Sequence, residues 1–206
     1  MIESPVASLS VVDAAAKRRS IRAFVQQPIP RDDLEQIIEV ASLAPSAFNA
    51  QPWRFVVVED PELKAKLAGA AFNQRQVHSA PAVIVLYTDM AGTLANINEI
   101  MHPGLPVAER EQSVARIVGF LREKGEAEAE SWGAAQGNIA LGFLLLAAEG
   151  LGYQTSAMAG FDPEAVKQLL GLPANVRVNA LVAVGKGAED GFPHHRHPVS
   201  RLATFV

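Results

Sequence analysis

Three arginines and a serine stand close together near the start of the chain and could jointly bind an anion. They are Arg18, Arg19, Ser20 and Arg22. A guanidinium donates hydrogen bonds in a planar fork that matches phosphate oxygens, and a serine hydroxyl adds a neutral donor. The segment therefore predicts a site for a phosphorylated small molecule. A solvated basic helix end has the same composition and is the alternative interpretation.

A second polar segment, residues 45–53, reads Pro-Ser-Ala-Phe-Asn-Ala-Gln-Pro-Trp. Pro45 and Pro52 disfavour a helix here. The amides of Asn49 and Gln51 donate and accept hydrogen bonds side by side, which suits the polar edge of a heteroaromatic ring. An ordinary turn leading into a strand would also have this sequence.

The composition excludes several other kinds of chemistry. The chain has 206 residues, a net charge of −4 and a pI of about 5.7, so it lacks the basic field that sequence-independent nucleic-acid binding requires. It contains no cysteine, so the chain can form no disulfide and offers no thiolate as a nucleophile or redox group. Redox chemistry, if the protein performs it, must belong to a cofactor.

Two segments bear on cellular location and membrane contact. Residues 1–5 lack the basic start and apolar stretch of a signal peptide, which favours the cytoplasm. The most apolar segment, residues 139–148, is too short to span a bilayer and is predicted to be a buried helix. We therefore expect no membrane partner.

The C-terminal region contains three histidines, His194, His195 and His197. A zinc site needs about four donors in a defined geometry, and this chain offers neither cysteine nor a second cluster of ligands. We predict no metal site. The histidines are expected instead to belong to an exposed tail near the bound phosphate, to which Arg196 could contribute.

Local signals predict the elements that must position these segments. A capping box at Ser10 and Asp13 opens a helix that ends at the basic cluster, and Pro30 precedes a second helix that Pro45 stops. Residues 90–106 are predicted to be irregular, and residues 1–206 to form a single domain. Strands are predicted at 53–59, 82–87 and 177–186, and further helices at 61–70, 109–130 with a break at Gly125, 131–149 and 163–171.

The predicted helix 131–149 contains three glycines, Gly133, Gly137 and Gly142, each of which costs roughly 1 kcal/mol against alanine. Small residues that are this unfavourable in a helix usually allow another backbone to come close. Together with its apolar neighbours, this face is expected to pack against a second copy of the chain.

The order and spacing of the two polar segments resemble the flavin-binding signatures of the nitroreductase family. Four further stretches extend the resemblance over almost the whole chain: the turn at residues 72–76, the long helix at 132–152, the segment 158–163 and the C-terminal stretch 197–202. Two positions depart from the family pattern. Val199 stands where a lysine is frequent, and Ala159 stands where an acidic residue is frequent.

The resemblance implies an α+β fold with a central, mostly antiparallel sheet flanked by helices, and a homodimer in which the C-terminal extension crosses onto the partner. It implies FMN as the cofactor and NADH or NADPH as the co-substrate. Electrons would pass through flavin N5 to a small organic acceptor, a nitroaromatic or a quinone, in a ping-pong mechanism. The alternatives are a protein that stores or senses FMN, and sibling reactions such as reductive dehalogenation, flavin fragmentation or enone reduction.

The resemblance also assigns roles to particular residues, and none of them is a catalytic side chain because the flavin performs the chemistry. The arginines and Ser20 would hold the phosphate, the ribityl oxygens and the pyrimidine edge, while Asn73 would contact the N3/O4 edge. The segment 45–51 would come from the partner subunit, and the backbone at 159–160 would approach N5, a contact that Ala159 leaves possible. The full set is Arg18, Arg19, Ser20, Arg22, Pro45, Ser46, Ala47, Asn49, Asn73, Gln76, Ala159, Gly160 and Arg201.

Overall fold

The computed structural model describes residues 9–206, which form an antiparallel sheet with helices on both faces. Residues 1–5, on which the signal-peptide prediction depends, lie outside the described part. The strands are β1 (Trp53–Val58), β2 (Ala82–Thr88), β3 (Gln154–Met158) and β4 (Arg177–Gly185), in the order β1-β2-β4-β3. Each neighbouring pair is antiparallel, so the predicted α+β class is confirmed.

Nine α-helices surround this sheet in the described residues. They are α1 (Val11–Lys17), α2 (Arg31–Ser42), α3 (Pro61–Ala70), α4 (Arg75–Ser79), α5 (Met90–Ala95), α6 (Val107–Lys124), α7 (Glu126–Gly150), α8 (Pro163–Leu170) and α9 (Val199–Leu202).

The caps predicted for three of these helices are present. The Ser10 hydroxyl accepts a hydrogen bond from the Asp13 amide at 3.1 Å, and the Asp60 carboxylate accepts one from the Leu63 amide at 2.7 Å. Gly171, which ends α8, is left-handed with φ 63°.

Two predictions about the middle of the chain are wrong. The stretch 90–106 is not irregular throughout, because it contains α5 and a 3-10 turn at Ile97–Ile100. The Asp89 carboxylate accepts from the Gly92 amide at 2.7 Å and so caps a helix that contains a glycine. The long helix begins at Glu126 rather than Ser131, since Gly125, with φ 74°, both ends α6 and precedes α7.

Each face of the sheet buries its own core, and β2, as predicted, is buried on both faces. Val83 and Val85 point towards the side covered by α3, α4 and α8, whereas Ile84 points towards α2 and α7. At 25 residues, α7 has the length and composition of a membrane span, but the core helix of a globular domain has the same features. Here α7 packs on α2 and on all four strands.

The three glycines of α7 do not share one environment. A β-carbon at Gly133 would lie 2.6 Å from the Met90 side chain, and one at Gly137 would lie 2.6 Å from the Thr88 side chain. A β-carbon at Gly142 would meet nothing within 4 Å. Two of the predicted close approaches are therefore made to side chains of the same chain, and Gly142 is the one that lies on the open face.

Candidate functional site

The edge strand β3 connects two of the segments predicted to bind a cofactor. At its start, Ser20 pairs with Thr155 in a parallel bridge, and the Ile21 amide donates to the Thr155 carbonyl at 3.0 Å. At its other end, β3 leads directly to Ala159 and Gly160, both exposed. The basic segment and the backbone at 159–160 therefore lie at opposite ends of one short strand, roughly 13 Å apart at about 3.3 Å per residue.

The turn at residues 72–76 joins this edge. Gln74 donates from its amide to the Gly160 carbonyl at 2.6 Å, and the Gln76 amide, 7% exposed, donates to Gln74 at 3.0 Å. Phe72 and Asn73 adopt left-handed conformations with φ 56° and 55°, which are unfavourable for phenylalanine. The turn therefore holds Asn73 exposed, next in sequence to the Gln74 that contacts Gly160, while Gln76 supports the turn from within.

A pocket of about 180 Å³ places the basic side chains on one surface. Loss of solvent contact, followed by repulsion from Arg19 and Arg196, lowers the pKa of His194 in this pocket. The Arg19 guanidinium donates to the carbonyls of Ala16, Lys17 and Arg18 at 2.8–2.9 Å, and so caps α1. The lining residues are Arg18, Arg19, Ser20, Arg22, Phe192, Pro193, His194 and Arg196.

Glu189 and Gln74, which were not among the residues predicted from the sequence, connect the segments that form this surface. Glu189 accepts from the Arg22 backbone amide at 2.8 Å, and its carboxylate lies 3.9 Å from the Arg75 guanidinium. It thereby ties the basic segment to the 72–76 turn. Gln74 ties the same turn to Gly160. Neither residue has a local signal, because each contacts a segment more than 80 residues away in the chain.

The segment 45–51 is built as a strained turn. Phe48, Asn49 and Gln51 have φ values of 59°, 57° and 42°, and such conformations tend to cluster at functional sites. The Ser46 hydroxyl accepts from the Gln51 amide at 3.0 Å, and the Asn49 amide donates to the Ile100 carbonyl at 3.2 Å. Pro45 is exposed at the start of the turn.

This turn lies far from the basic pocket of its own chain. The Ala47 amide donates to Gln136 on α7 at 2.9 Å, whereas Lys17, next to the basic segment, approaches Glu149 near the end of α7 at 3.9 Å. Gln136 and Glu149 are separated by roughly 20 Å along the helix, at about 1.5 Å per residue. A single chain therefore does not bring the two polar segments together.

Arg201 is also not part of the basic pocket in one chain. It lies on α9, and residues 192–206 are exposed almost throughout, including Phe192 at 81%, Leu202 at 68% and Phe205 at 88%. The histidines of this tail are exposed as well. Among residues 9–206, no group of three or more His, Cys, Asp or Glu stands close enough to hold a metal ion.

Aromatic rings surround Phe48 in the strained turn. Its ring centroid lies 5.5 Å from that of Phe120 on α6 and 6.3 Å from that of Trp132 on α7. Lys124 lies 5.0 Å from the Phe120 centroid. Helices α6 and α7 therefore place an aromatic surface beside the segment 45–51.

A carboxyl group with an unusual pKa lines a polar cavity of about 530 Å³ next to Ala159. Burial, followed by repulsion from Asp89, raises the pKa of Glu130 from 4.5 to about 7. One of its oxygens, Oε2, is buried without a hydrogen-bond partner among the described residues. Ionisation of this group is therefore unfavourable in the folded protein.

Glu130 should make the protein less stable as the pH rises. Its folded-state pKa of about 7 exceeds the ordinary 4.5, so the folded state binds the extra proton and stability is lost between these two values. We expect Glu130→Gln to leave the free energy of unfolding unchanged at pH 4.5 and to raise it by ~1–2 kcal/mol at pH 8, which is less than the full value of this pKa shift because the side chain is only partly buried. Urea denaturation at both pH values measures this, with the exposed Glu123→Gln as a control. An equal effect at both pH values would contradict the assignment.

The donors gathered along β3 fit FMN. Guanidinium and hydroxyl groups at one end suit a phosphate, and the amides and exposed backbone at the other end suit the polar edge of a ring. Within residues 9–206, the guanidiniums of Arg18 and Arg22 form no hydrogen bond or ion pair with protein groups, so both remain available to a ligand. The residues that would hold the phosphate and the pyrimidine edge are Arg18, Ser20 and Arg22, and those that would face the rest of the ring are Asn73, Ala159 and Gly160.

Comparison with known proteins agrees with this geometry. The model described as "Nitroreductase family" matches residues 15–186. The NADH dehydrogenase of Thermus thermophilus is 45% identical over 199 residues, covering 95% of this chain and 97% of that protein. The CLA biosynthesis enone reductase of Lactiplantibacillus plantarum is 31% identical, covering 95% and 94%. A protein from Exiguobacterium sibiricum 255-15, crystallised with FMN, superposes with a TM-score of 0.89 at 28% identity, covering 98% of this chain and 100% of that one.

Proposed function

Because the chain belongs to the nitroreductase family, we propose that it is an FMN-dependent oxidoreductase that transfers electrons from NADH or NADPH to a small organic acceptor. The observation that carries this proposal is the arrangement along β3, which joins cationic donors, an exposed amide and exposed backbone on one surface. A relative named NADH dehydrogenase and a structural neighbour in complex with FMN support the electron donor and the cofactor.

When bound, FMN supplies the hydride and electron transfer, and the protein groups position it and tune it. Arg18 and Ser20 would hold the phosphate. Arg22 would supply a cation for the phosphate or the pyrimidine edge, and at that edge a cation would stabilise the charge of the reduced flavin. Asn73 would bind the N3/O4 edge, and the hydrogen bond of 2.6 Å from Gln74 to Gly160 holds the backbone loop in place.

The acceptor is proposed to be a flat aromatic molecule such as a quinone or nitroaromatic. Phe72, 69% exposed on the 72–76 turn, stands beside the cofactor-binding surface, and Phe48 and Phe120 form an aromatic surface next to the segment 45–51. Aromatic faces bind flat rings well and resist entry of water. These two surfaces come together only if a second chain supplies one of them.

We propose a homodimer in which each site takes the segment 45–51, and Arg201 on the C-terminal extension, from the partner. The roughly 20 Å along α7 that separates this segment from its own basic pocket favours that assembly. The open face of α7 exposes Ile139 at 40% and Phe143 at 37%, beside α1 with Val12 at 77%. Such an apolar face would favour burial against a second copy. Residues 1–206 as one domain, and a cytoplasmic location, remain predictions.

Cofactor content tests the function directly. Purified protein should be yellow, with about one FMN per chain that denaturation releases, because several arginines can hold the phosphate without a covalent bond. NADH or NADPH should bleach the flavin absorbance under anaerobic conditions. Protein that stays colourless after incubation with FMN would contradict the whole proposal, and flavin that neither nucleotide bleaches would favour storage or sensing instead.

Steady-state kinetics test whether both substrates use one pocket in turn. When NAD(P)H and a quinone are both varied, we expect parallel double-reciprocal lines, because the nucleotide must leave before the acceptor can enter. Initial rates over a grid of both concentrations provide the measurement. Intersecting lines would instead indicate a ternary complex and a second binding site.

A further inference from the structure

A second unusual carboxyl group lies beneath the basic segment. Glu149 stands in the last turn of α7, and its side chain is only 2% exposed. Oε1 lies 3.9 Å from the Lys17 ammonium, and Oε2 is buried without a hydrogen-bond partner among the described residues. A carboxylate at a helix C-terminus also opposes the helix dipole, so this position is unfavourable for a charge unless cations compensate it.

The compensating cations all belong to the end of α1. Lys17, Arg18 and Arg19 are the charged groups that face Glu149, and the neighbouring β3 contributes the neutral Gln154 amide. Burial raises the pKa of Glu149, and these cations act in the opposite direction. The ionisation of the Glu149 carboxyl therefore depends on how strongly these three cations stabilise its negative charge.

Arg18 and Arg19 also line the basic pocket on the other side of the segment. An anion in that pocket would interact with the same guanidiniums and would repel a carboxylate behind them. Because the Glu149 side chain is only 2% exposed, solvent stabilises its charge very little when this happens. The least costly response of a buried acid is to take up a proton.

We propose that Glu149 is a titratable counter-ion of the basic segment, ionised while the pocket is free and protonated when the phosphate of FMN occupies it. The proton comes from solvent, and no other bond forms or breaks. This inference rests on the proposed function, since it takes the pocket to be the FMN phosphate site. It makes Glu149 a positioning residue that acts through Lys17, Arg18 and Arg19 rather than by touching the cofactor.

The pH dependence of FMN binding follows from this exchange. The bound state holds Glu149 protonated to a higher pH than the free state does, so the contribution of Glu149 to binding is most favourable at low pH and is lost as the pH rises through the two pKa values. Glu149→Gln imitates the protonated acid and removes this contribution. Relative to the wild type, its FMN affinity should therefore increase as the pH rises, by about 10-fold in alkaline solution, and the two affinities should converge in acid.

Calorimetry of FMN binding to the apoprotein detects the proton itself. Titrations at several pH values between 5 and 9, in buffers of high and low ionisation enthalpy, should show a pH range in which the wild type takes up more protons than Glu149→Gln. His194 and the phosphate also titrate in this pocket, but they contribute to both proteins and cancel in the difference. Glu39→Gln is the control, because it removes an exposed carboxylate on α2 that lines neither the basic pocket nor the cavity beside Ala159, and it should keep the wild-type uptake.

Lys17→Met provides a second variant that leaves the pocket residues in place. Without the ammonium, the pKa of Glu149 should rise further, so the proton uptake should move to higher pH while FMN still binds. Equal uptake by the wild type, Glu149→Gln and Lys17→Met would overturn the proposal, as would an affinity loss in Glu149→Gln of the same size at every pH. If FMN binds neither the wild type nor any variant, the proposed function fails, and this inference with it.

Discussion

Replacing Arg22 by alanine is expected to weaken FMN binding about 30-fold, which corresponds to ~2 kcal/mol for a lost charge-assisted hydrogen bond. The Arg22 side chain is exposed and lines the basic pocket, while its backbone amide is held separately by Glu189 at 2.8 Å. The substitution should therefore remove a charge without moving the segment. Quenching of FMN fluorescence on titration with apoprotein measures the dissociation constant.

The controls for Arg22 separate binding from stability. Arg116→Ala, on the exposed part of α6, removes a charge outside the basic pocket and should leave FMN affinity unchanged. Arg19→Ala should lower the free energy of unfolding, because the Arg19 guanidinium caps the carbonyls at the end of α1. An Arg22→Ala protein with wild-type affinity would assign Arg22 to the solvated surface of a basic helix end.

Leucine at Gly137 is expected to destabilise the folded chain by ~3 kcal/mol or more. A β-carbon there would lie 2.6 Å from Thr88 and 2.9 Å from the Asn179 amide. That amide donates to the Ala134 carbonyl at 2.8 Å and to Asn138 at 3.1 Å, so a larger side chain would also disrupt this polar network. Chemical denaturation monitored by circular dichroism measures the loss.

Gly142→Leu is the matched variant on the same helix. No atom lies within 4 Å of its would-be β-carbon, so the single chain should tolerate leucine and gain up to ~1 kcal/mol of helix propensity. In the proposed dimer, Gly142 lies on the buried face, and leucine should weaken association and FMN binding together. Sedimentation over a dilution series, read with flavin absorbance, measures both. A stable monomer that keeps its FMN would contradict the proposed assembly.

The predictions that are confirmed rest on interactions between residues close in sequence. Caps such as Ser10 to Asp13 and Asp60 to Leu63 join residues that are three apart in the chain. The apolar run of β2 predicts that this strand is buried, and no knowledge of its neighbouring strands is needed for that prediction. The basic cluster is likewise contiguous, and its side chains line one pocket, but the anion site itself stays a prediction.

The missed elements have weak local signals. Strand β3 is short and begins Gln-Thr-Ser, and it forms because β4 offers a paired edge and the basic segment bridges to Thr155. Helix α5 contains a glycine and depends on Asp89 as its cap. In both cases tertiary or capping contacts outweigh intrinsic propensity.

The sequence by itself indicated which residues carry the donors for an anion and for a polar ring edge, because the charge and donor geometry of arginine, serine and amide side chains do not depend on the fold. It also determined where α2, α3, α8 and the central strands begin. Only the tertiary structure decided which of these residues meet. It placed Gly160 against Gln74, turned Gly137 inward and Gly142 outward, and buried Glu149 beneath the basic segment, since each outcome depends on contacts between segments distant in the chain.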